Sequence, residues 1–399
     1  MNNKRFFLLI TGTIIVAVAI IAGFSYYKDY YEVFHGAEES EIKNEGFNER
    51  FVKMEYLLKD NRFQKYDSYL CGSSRIMKTD PDITGLETYN IGVSSALPDD
   101  CLLQLKVLLK NQAPVKVLYY GLDDFTYTSY WEQATHSINR VPYKINPIEN
   151  WGYYFQLLTD FGNFQYRVGA KINRIFKHKG NQSTQVKTMV RQSGVFIMEN
   201  GMYIVPEEIE RNIEENPYEY INQEKFMQPC IEFPELDRKS KDISQGNEIR
   251  FRECMSTIKK IKQLCDENHI RFVPFFNPHH MTTYLNDDME LMNRFKKELV
   301  KISPFWDFSG VNYVTSNNYF WYETSHPRAF ICDKILDTVS GQNQMTWVPD
   351  FGVYVTEENV DAFCEKAVRD REAYDPNHEQ WVPSAEERAV MTKRVNYPW

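Results

Sequence analysis

The sequence predicts an α/β fold, a three-layer α/β/α domain with a mostly parallel, flavodoxin-like sheet, preceded by one N-terminal transmembrane helix. Three observations predict it. An uncharged apolar run lies near the N-terminus, short apolar segments alternate with segments of helical periodicity, and polar residues directly follow several apolar segments. Strands that alternate with helices predict a parallel sheet covered on both faces. Ligands of such sheets bind beyond the carboxyl ends of the strands, where we therefore look for a site.

Composition excludes several classes of protein. The chain has 399 residues and a formal net charge of −9, which argues against a protein that coats nucleic acid. Its 43% hydrophobic and 25% charged residues are close to globular averages and exclude wholesale disorder. A mean hydropathy of −0.52 excludes a polytopic membrane protein but permits a single span.

The N-terminal apolar run predicts a membrane anchor. Lys4 and Arg5 precede an uncharged segment, Phe6–Tyr27, which as a helix would extend about 33 Å, roughly the thickness of a hydrocarbon core. The positive-inside rule keeps the N-terminus in the cytoplasm and predicts a single-pass protein of the cytoplasmic membrane with an extracytoplasmic main domain. A cleaved signal peptide is the alternative, although its apolar region is usually about 7–15 residues long.

Changes in composition divide the chain into four parts. Residues 1–27 form the cytoplasmic tip and anchor, and 28–62 are predicted to be an acidic, polar juxtamembrane stalk. The main domain covers 63–340, with an insertion at about 126–245 that is rich in tyrosine, asparagine, glutamine and proline. Residues 341–399 show no clear period and are predicted to be an irregular tail of unknown role.

Five strands and four helices are predicted within the main domain. The strands are short apolar runs: Tyr66–Cys71, Glu87–Ile91, Val115–Tyr120, Ile270–Phe276 and Pro304–Phe308. The helices show apolar residues at helical spacing: Leu102–Leu109, Phe251–Cys265, Met289–Ile302 and Phe330–Val339. Asp287 is the predicted N-cap of the third helix, and Gly341 ends the fourth.

Cysteine and histidine spacing argues against a metal site. The seven cysteines contain no CxxC pair and do not form a disulfide framework, so most are expected to be small core residues. His279 and His280 could join His326 as zinc ligands, but an adjacent pair rarely faces one ion. They are instead expected to line a substrate cleft. We predict neither a metal nor a cofactor.

Polar residues follow four of the predicted strands. These segments are Gly72-Ser73-Ser74-Arg75, Asn90-Ile91-Gly92-Val93-Ser94-Ser95, Gly121-Leu122-Asp123-Asp124 and Tyr322-Glu323-Thr324-Ser325-His326-Pro327. A glycine at a tight turn would let the chain enter a helix with Ser74 exposed at its start. A serine nucleophile needs a base within hydrogen-bond reach, and that base needs an orienting partner. His326 and Glu323, three residues apart, could supply both.

This arrangement resembles the SGNH (GDSL-like) hydrolase family, in particular its membrane-anchored bacterial members. The resemblance covers about residues 64–125 and 245–340 and leaves the insertion and the tail outside. It implies acyl-ester chemistry in which Ser74 is the nucleophile, His326 the base and Glu323 the acidic partner of the histidine. It also implies an oxyanion hole made of the serine N–H, a glycine N–H and an asparagine amide.

The sequence departs from that family at the oxyanion hole. Ser95 stands where the family has glycine, although it still offers a backbone N–H, and Gly92 in the same segment is a further candidate. Asp123 stands where the family has asparagine, and an ionised carboxylate has no proton to donate. The loss of one oxyanion donor typically lowers the rate about 10²–10³-fold. Asn277, after the fourth strand, is a plausible substitute.

Two further side chains have open roles. Arg75 could bind an anionic group of the substrate, or pair with Asp80 or Asp82. Asp307, at the end of the fifth strand, could accept hydrogen bonds from across the site, or only cap it.

Two functions follow from these residues. The first is a membrane-anchored extracytoplasmic serine esterase or acyltransferase, with an acylated polysaccharide of the cell envelope, an exported polysaccharide or another envelope ester as substrate. The alternative is a catalytically weak or inactive surface protein with the SGNH fold, which binds glycan or an assembly partner. The membrane is the expected partner of the N-terminal helix, and no nucleic acid is expected.

Overall fold

A six-stranded, mostly parallel sheet forms the centre of the protein. The computed structural model describes residues 3–35, 47–128, 138–162, 164–165, 195–197, 199–230, 241–345 and 351–392. The strands are β1 Ser68–Cys71, β2 Thr88–Asn90, β3 Val117–Leu122, β4 Val195–Ile197, β5 Met202–Ile204, β6 Arg271–Phe276, β7 Phe305–Asp307 and β8 Val353–Val355. The main sheet has the order β2-β1-β3-β6-β7-β8, in which only β8 is antiparallel to its neighbour, and β4 pairs with β5 separately.

Twelve α-helices are described around this sheet. They are α1 Asn3–Lys28, α2 Glu49–Leu58, α3 Pro98–Lys110, α4 Pro147–Leu158, α5 Glu207–Glu215, α6 Pro217–Ile221, α7 Lys241–Glu267, α8 Met281–Tyr284, α9 Met289–Val300, α10 Ala329–Ser340, α11 Val360–Ala373 and α12 Ala385–Met391.

Alternate residues of the central strands pack into two different clusters. In β3, Leu118 and Tyr120 join a cluster with apolar residues of α3, α7 and α9. Val117 and Tyr119 of the same strand join a second cluster with residues of α10. Successive side chains of a strand point to opposite faces, so apolar residues cover both faces of the sheet. This explains why the strands read as continuous apolar runs.

The predicted strands and helices are present. Each predicted strand end lies within two residues of the observed end, and a mixed α/β fold with a mostly parallel sheet is confirmed. The predicted N-cap of α9 is wrong by one residue. Asp288 caps the helix by accepting from Leu291 N–H at 3.0 Å, because Asp287 is engaged by the ring of His279.

The predicted stalk is a helix of the domain over part of its length. In α2, Phe51, Met54 and Leu57 are buried, and they share one helix face because they lie three residues apart. The prediction of a stalk is wrong for residues 49–58, because charged residues stand between the apolar positions of α2 and obscure their helical spacing. The acidic segment 38–41 lies outside the described residues.

The predicted irregular tail completes the sheet. Val353–Val355 pairs with β7, and Val360 and Cys364 of α11 belong to the first cluster. Trp381 packs on Tyr313 with ring centroids 4.6 Å apart. Residues 347 and 399, the other tryptophans of the tail, lie outside the described residues.

The described part of the insertion extends the main core. Val205, Ile213, Tyr220, Ile221 and Phe226 all belong to the second cluster, together with residues of α10. These five side chains are therefore part of the core of the main domain. Much of the segment 163–198 lies outside the described residues.

The N-terminal helix is long and apolar enough to span a membrane. It has 26 residues, a mean hydropathy of 2.6 over its most apolar window of 18, and only Ile21 buried. None of the seven cysteines, which all lie in the described part of the chain, forms a disulfide, and all except the half-buried Cys230 are buried.

A buried lysine fastens α2 to the end of β2. Lys53 is fully buried, and its Nζ donates to Gly92 O at 2.7 Å, Gly201 O at 2.8 Å and Asn90 O at 3.1 Å. A buried carbonyl left without a hydrogen-bond donor lowers the stability of the fold by about 1–3 kcal/mol. We expect Lys53→Ala to lower the free energy of unfolding by at least about 2 kcal/mol, measured by urea denaturation of the detergent-solubilised chain.

The surface substitution Lys301→Ala is the matched control, because Lys301 is exposed and forms a surface ion pair with Glu298. It should change the same free energy by no more than about 0.5 kcal/mol. Equal effects of the two substitutions would contradict the structural role given to Lys53.

Candidate active site

Ser74 lies in a turn directly after β1. Gly72 precedes it with a φ of 154°, and a Cβ there would come within 2.9 Å of Gly121 O, so only glycine fits. The turn is closed by Ile76 N–H, which donates to Ser73 O at 3.1 Å. Residues 73–79 form turns and not the predicted helix. The serine is nonetheless half-buried at the carboxyl end of the sheet.

Three of the predicted site residues are in contact. Ser74 Oγ and His326 Nε2 are 2.8 Å apart, which is hydrogen-bond distance, although the two residues are 252 positions apart. His326 Nδ1 bonds to Glu323, whose other carboxylate oxygen accepts from Ser325 N–H at 2.6 Å. The His326 side chain is 28% exposed, so the pair remains accessible from solvent. Such a chain of serine, histidine and carboxylate can activate a hydroxyl for nucleophilic attack.

The electrostatics keep Glu323 charged and His326 neutral. Burial opposes ionisation of Glu323, but the His326 ring and the Ser325 N–H outweigh it and lower the pKa of Glu323 to about 2. Burial lowers the pKa of His326, and the nearby Lys78 ammonium lowers it further, although Glu323 acts in the opposite direction. A neutral imidazole beside a serine is the form that can accept the hydroxyl proton.

Contacts on several sides hold the loop that carries Glu323 and His326. Tyr322 N–H donates to His326 O at 2.9 Å and closes the turn between the two residues. From the insertion, Tyr220 Oη donates to Trp321 O at 2.7 Å. From α8, Thr283 Oγ1 donates to Thr324 O at 2.7 Å. The histidine is thus fixed by elements that the sequence places far apart.

The insertion also holds this loop through a buried ion pair. Arg328 is fully buried, and its Nη2 lies 2.6 Å from Glu210 and 2.7 Å from Glu214, both on α5. A buried guanidinium needs such partners, because an unpaired buried charge is strongly destabilising. The insertion is therefore a structural support of the histidine loop.

Arg75 pairs with residues other than those predicted. Its Nη1 donates to Asp123 at 2.9 Å and to Asp124 at 2.8 Å, and its Nε donates to Ser325 O at 3.0 Å. The prediction of Asp80 or Asp82 as partner is wrong, because the turn directs the side chain to the carboxyl end of β3. The buried guanidinium is engaged within the protein, so it joins the serine turn to the histidine loop and does not face a substrate.

Asp123, the first of the two predicted side-chain positions, offers no oxyanion donor. Asp123 is fully buried, and its Oδ1 accepts from Arg75 and, at 3.0 Å, from Asn277 Nδ2. Asn277, the predicted substitute donor, is almost fully buried and gives one of its two amide hydrogens to Asp123. The carboxylate at position 123 is held as one half of an ion pair.

The backbone donors of the second segment differ in availability. Gly92 N–H donates to Asn90 Oδ1 at 3.0 Å, and Ser94 N–H donates to Glu49 at 2.6 Å, so both are occupied. Ser95 has a φ of 52°, a conformation that glycine adopts without strain, and no acceptor contacts its N–H within the described part of the chain. Of the predicted donors, the N–H groups of Ser74 and Ser95 remain available.

The two neighbouring histidines are buried and face different partners. His279 lies between Asp287, 2.8 Å from its Nδ1, and Asp124, 3.3 Å from its Nε2. His280 Nε2 bonds to Asn318 at 2.8 Å, and burial lowers the pKa of this histidine to about 4. The prediction that both line a cleft is wrong, since both are almost fully buried.

Ligand atoms of Asp124, His279 and Asp287 lie within 4.8 Å of one another, a spacing that could hold a metal ion. The guanidinium of Arg75 already lies beside Asp124, so we interpret the group as an ion-pair network. Asp307 is a capping residue, with Lys296 2.9 Å from its Oδ2 and Ser309 Oγ donating to its Oδ1 at 2.6 Å.

Sequence reasoning missed Lys78 and the tyrosine contacts of the insertion. Lys78 is buried, lies over the ring of Tyr322 with Nζ 5.4 Å from the centroid, and affects the titration of both Glu323 and His326. Its position four residues after Ser74 was the available signal. No pattern in the sequence pointed to Tyr220, because its partners are backbone carbonyls of a distant loop.

The charges around His326 predict opposite shifts for two substitutions. Glu323→Gln removes the anion that raises the pKa of His326, so that pKa should fall. Lys78→Met removes a cation that lowers the same pKa, which should therefore rise. Both shifts are measured by NMR titration of the imidazole, assigned by comparison with His326→Ala. Lys301→Met changes the charge of an exposed residue and serves as the control, which should leave the titration of His326 unchanged. Shifts of the same sign in both site variants would contradict the placement of Glu323 and Lys78 around His326.

Comparisons with known proteins add no relative to this description. Comparison of the chain with family models, with curated proteins and with solved structures found no match.

Proposed function

We propose that the protein is a serine-dependent esterase or acyltransferase of the SGNH type, in which Ser74 is the nucleophile, His326 the base and Glu323 its orienting partner. The observation that carries this proposal is the continuous hydrogen-bonded chain from Ser74 Oγ through the His326 ring to Glu323. The chain is assembled at the carboxyl end of a parallel sheet, where such folds bind ligands.

The reaction consists of two transfers of the acyl group. Ser74 Oγ attacks the ester carbonyl while its proton passes to His326 Nε2, and the alcohol oxygen then leaves with that proton. The acyl-serine formed is attacked by water or by a hydroxyl of a second substrate, with His326 again accepting and returning the proton. The negative oxygen of each tetrahedral intermediate would be stabilised by the N–H groups of Ser74 and Ser95.

The sheet topology supports a three-layer, flavodoxin-like arrangement. The five parallel strands have the order β2-β1-β3-β6-β7, which corresponds to the flavodoxin-like order 2-1-3-4-5. Apolar clusters on both faces of the sheet are consistent with helical layers above and below it.

The N-terminal helix supports a substrate in the cell envelope. In the proposal, α1 is a single-pass anchor with Lys4 and Arg5 on the cytoplasmic side, and the main domain is extracytoplasmic. A tethered enzyme acts only on what lies near the membrane, so the substrate would be an acylated envelope or exported polysaccharide, or another envelope ester.

The pairing of Asp123 favours the second candidate, a weakly active or inactive surface protein that binds glycan or an assembly partner. An ion pair with Arg75 leaves Asp123 unable to donate to an oxyanion, and Asn277 is turned to the same carboxylate. With one donor fewer, the site would react about 10²–10³-fold more slowly.

Substitution of the nucleophile distinguishes the two candidates. We expect Ser74→Ala to abolish labelling by a fluorophosphonate probe and to lower the turnover of p-nitrophenyl acetate by about 10³-fold or more, because the attacking oxygen is lost. His326→Ala should behave in the same way. Ser340→Ala, a change at a serine outside the site, is the control and should keep both signals. If the native protein is not labelled, and if Ser74→Ala leaves the turnover of p-nitrophenyl acetate unchanged, the enzymatic function is contradicted.

Protease treatment of intact cells tests the orientation. If the main domain is extracytoplasmic, added protease should digest it once the outer layers of the envelope are permeable, while the cytoplasmic tip stays protected. A domain that is digested only after the cytoplasmic membrane is disrupted would contradict the proposed topology.

A further inference from the structure

Helix α4 has two apolar faces, of which only one is covered. Asn150, Tyr153 and Leu157 are buried against the domain. Ile148, Trp151 and Phe155 lie on the other side of the helix, and their exposed fractions are between 66% and 77%. At 3.6 residues per turn these three side chains fall within an arc of about 60°, so they form one continuous stripe. We call Ile148, Trp151 and Phe155 the outer stripe.

Helix α4 is in contact with α1, and the residues that follow the two helices also pack together. The rings of Phe24 and Phe164 meet edge to face with centroids 5.3 Å apart. Tyr31 Oη donates to Asp160 at 2.7 Å, and the ring of Phe34 lies 5.8 Å from that of Tyr154. Helix α4, which carries the outer stripe, therefore lies beside the segment in which the proposed transmembrane helix leaves the bilayer.

We propose that α4 lies in the outer interface of the bilayer that α1 crosses, with its outer stripe inserted among the lipid headgroups and upper acyl chains. This inference rests on the proposed function of α1 as a membrane anchor. An exposed apolar stripe that includes tryptophan is typical of interfacial helices. Together, α1 and α4 would hold the main domain in one orientation, whereas a single helix leaves it free to rotate.

Charge indicates an apolar contact with lipid and not an electrostatic one. The three cations Lys4, Arg5 and Lys28, and no acid, lie within residues 1–28, so the rest of the chain has a formal net charge of −12. Helix α4 itself contains Glu149 and no cation. The contact should therefore form on zwitterionic lipid and should not weaken as salt is added.

The inner face of α4 is joined to the candidate active site. Asn48 donates to Tyr153 Oη at 2.7 Å and caps α2, whose Arg50 donates to Ser94 O at 2.8 Å. Ser94 neighbours Ser95 in the segment proposed to supply an oxyanion donor. The orientation that α4 imposes would thus be transmitted to the site through α2.

Fluorescence of Trp151 in nanodiscs tests the position of α4. The full chain is placed in phosphatidylcholine nanodiscs with or without bromine on the upper acyl chain, and the spectrum of Trp151→Phe is subtracted to isolate Trp151. We expect the Trp151 signal to be mostly lost in brominated lipid and to resist quenching by aqueous iodide. The same result is expected at low and high salt.

A charged variant and a matched control complete the test. Ile148→Glu combined with Phe155→Glu keeps Trp151 as reporter and should restore its signal in brominated lipid and expose it to iodide. Val390→Glu places one glutamate at an exposed apolar residue of α12 and should change neither result. If the double variant does not fold, the difference between the spectra of the native chain and Trp151→Phe still tests whether Trp151 lies in the bilayer interface.

The outcomes separate this inference from the function on which it rests. A chain that does not incorporate into nanodiscs would contradict the anchor itself. Incorporation with Trp151 quenched by iodide and not by brominated lipid would overturn the inference while leaving the anchor intact. Trp151 shielded from iodide and unquenched by brominated lipid would indicate a protein partner or a second copy of the chain on the outer stripe, which also overturns it.

Discussion

The buried guanidinium of Arg75 is the interaction on which the candidate site depends. It follows Ser74 directly in the chain, and it reaches Asp123 and Asp124 at the end of β3 and the Ser325 carbonyl beside His326. A guanidinium is stable in such a buried position only when carboxylates and carbonyls replace its lost hydration. The same ion pair gives the aspartate at position 123 a structural role.

Polar contacts, more than apolar packing, determine how the loops meet around the site. Arg328 ties the histidine loop to the insertion, and Lys53 ties α2 to the segment after β2. Each of these basic side chains is buried, and each bonds to groups from a different part of the chain. Hydrogen bonds of this kind require defined distances and directions, so they position loops that hydrophobic burial alone would leave variable.

The elements that sequence reasoning recovered are those with a strong local pattern. The five parallel strands are short apolar runs, and Ser74 follows the first of them in a Gly-Ser-Ser motif. His326 stands in a Ser-His-Pro motif further along the chain, after the last of these strands. Helix α2 was missed because its apolar residues alternate with charges. Strand β8 was missed because its apolar run, Val353–Val355, is only three residues long and lies in a polar tail. The partners of Arg75 were wrong because distance along the chain does not report which side chain a turn brings near.

The sequence by itself determined the alternation of strands and helices, the apolar N-terminal helix and the identity of the serine, the histidine and the glutamate at the predicted strand ends. These follow from periodicity and from local composition, which neighbouring residues decide. Only the tertiary structure decided that Ser74 and His326 are within 2.8 Å, that Asp123 is held by Arg75, and that α4 leaves an apolar stripe beside α1. The physical reason is that each of these contacts joins residues that are distant in sequence, so it depends on how the whole chain packs.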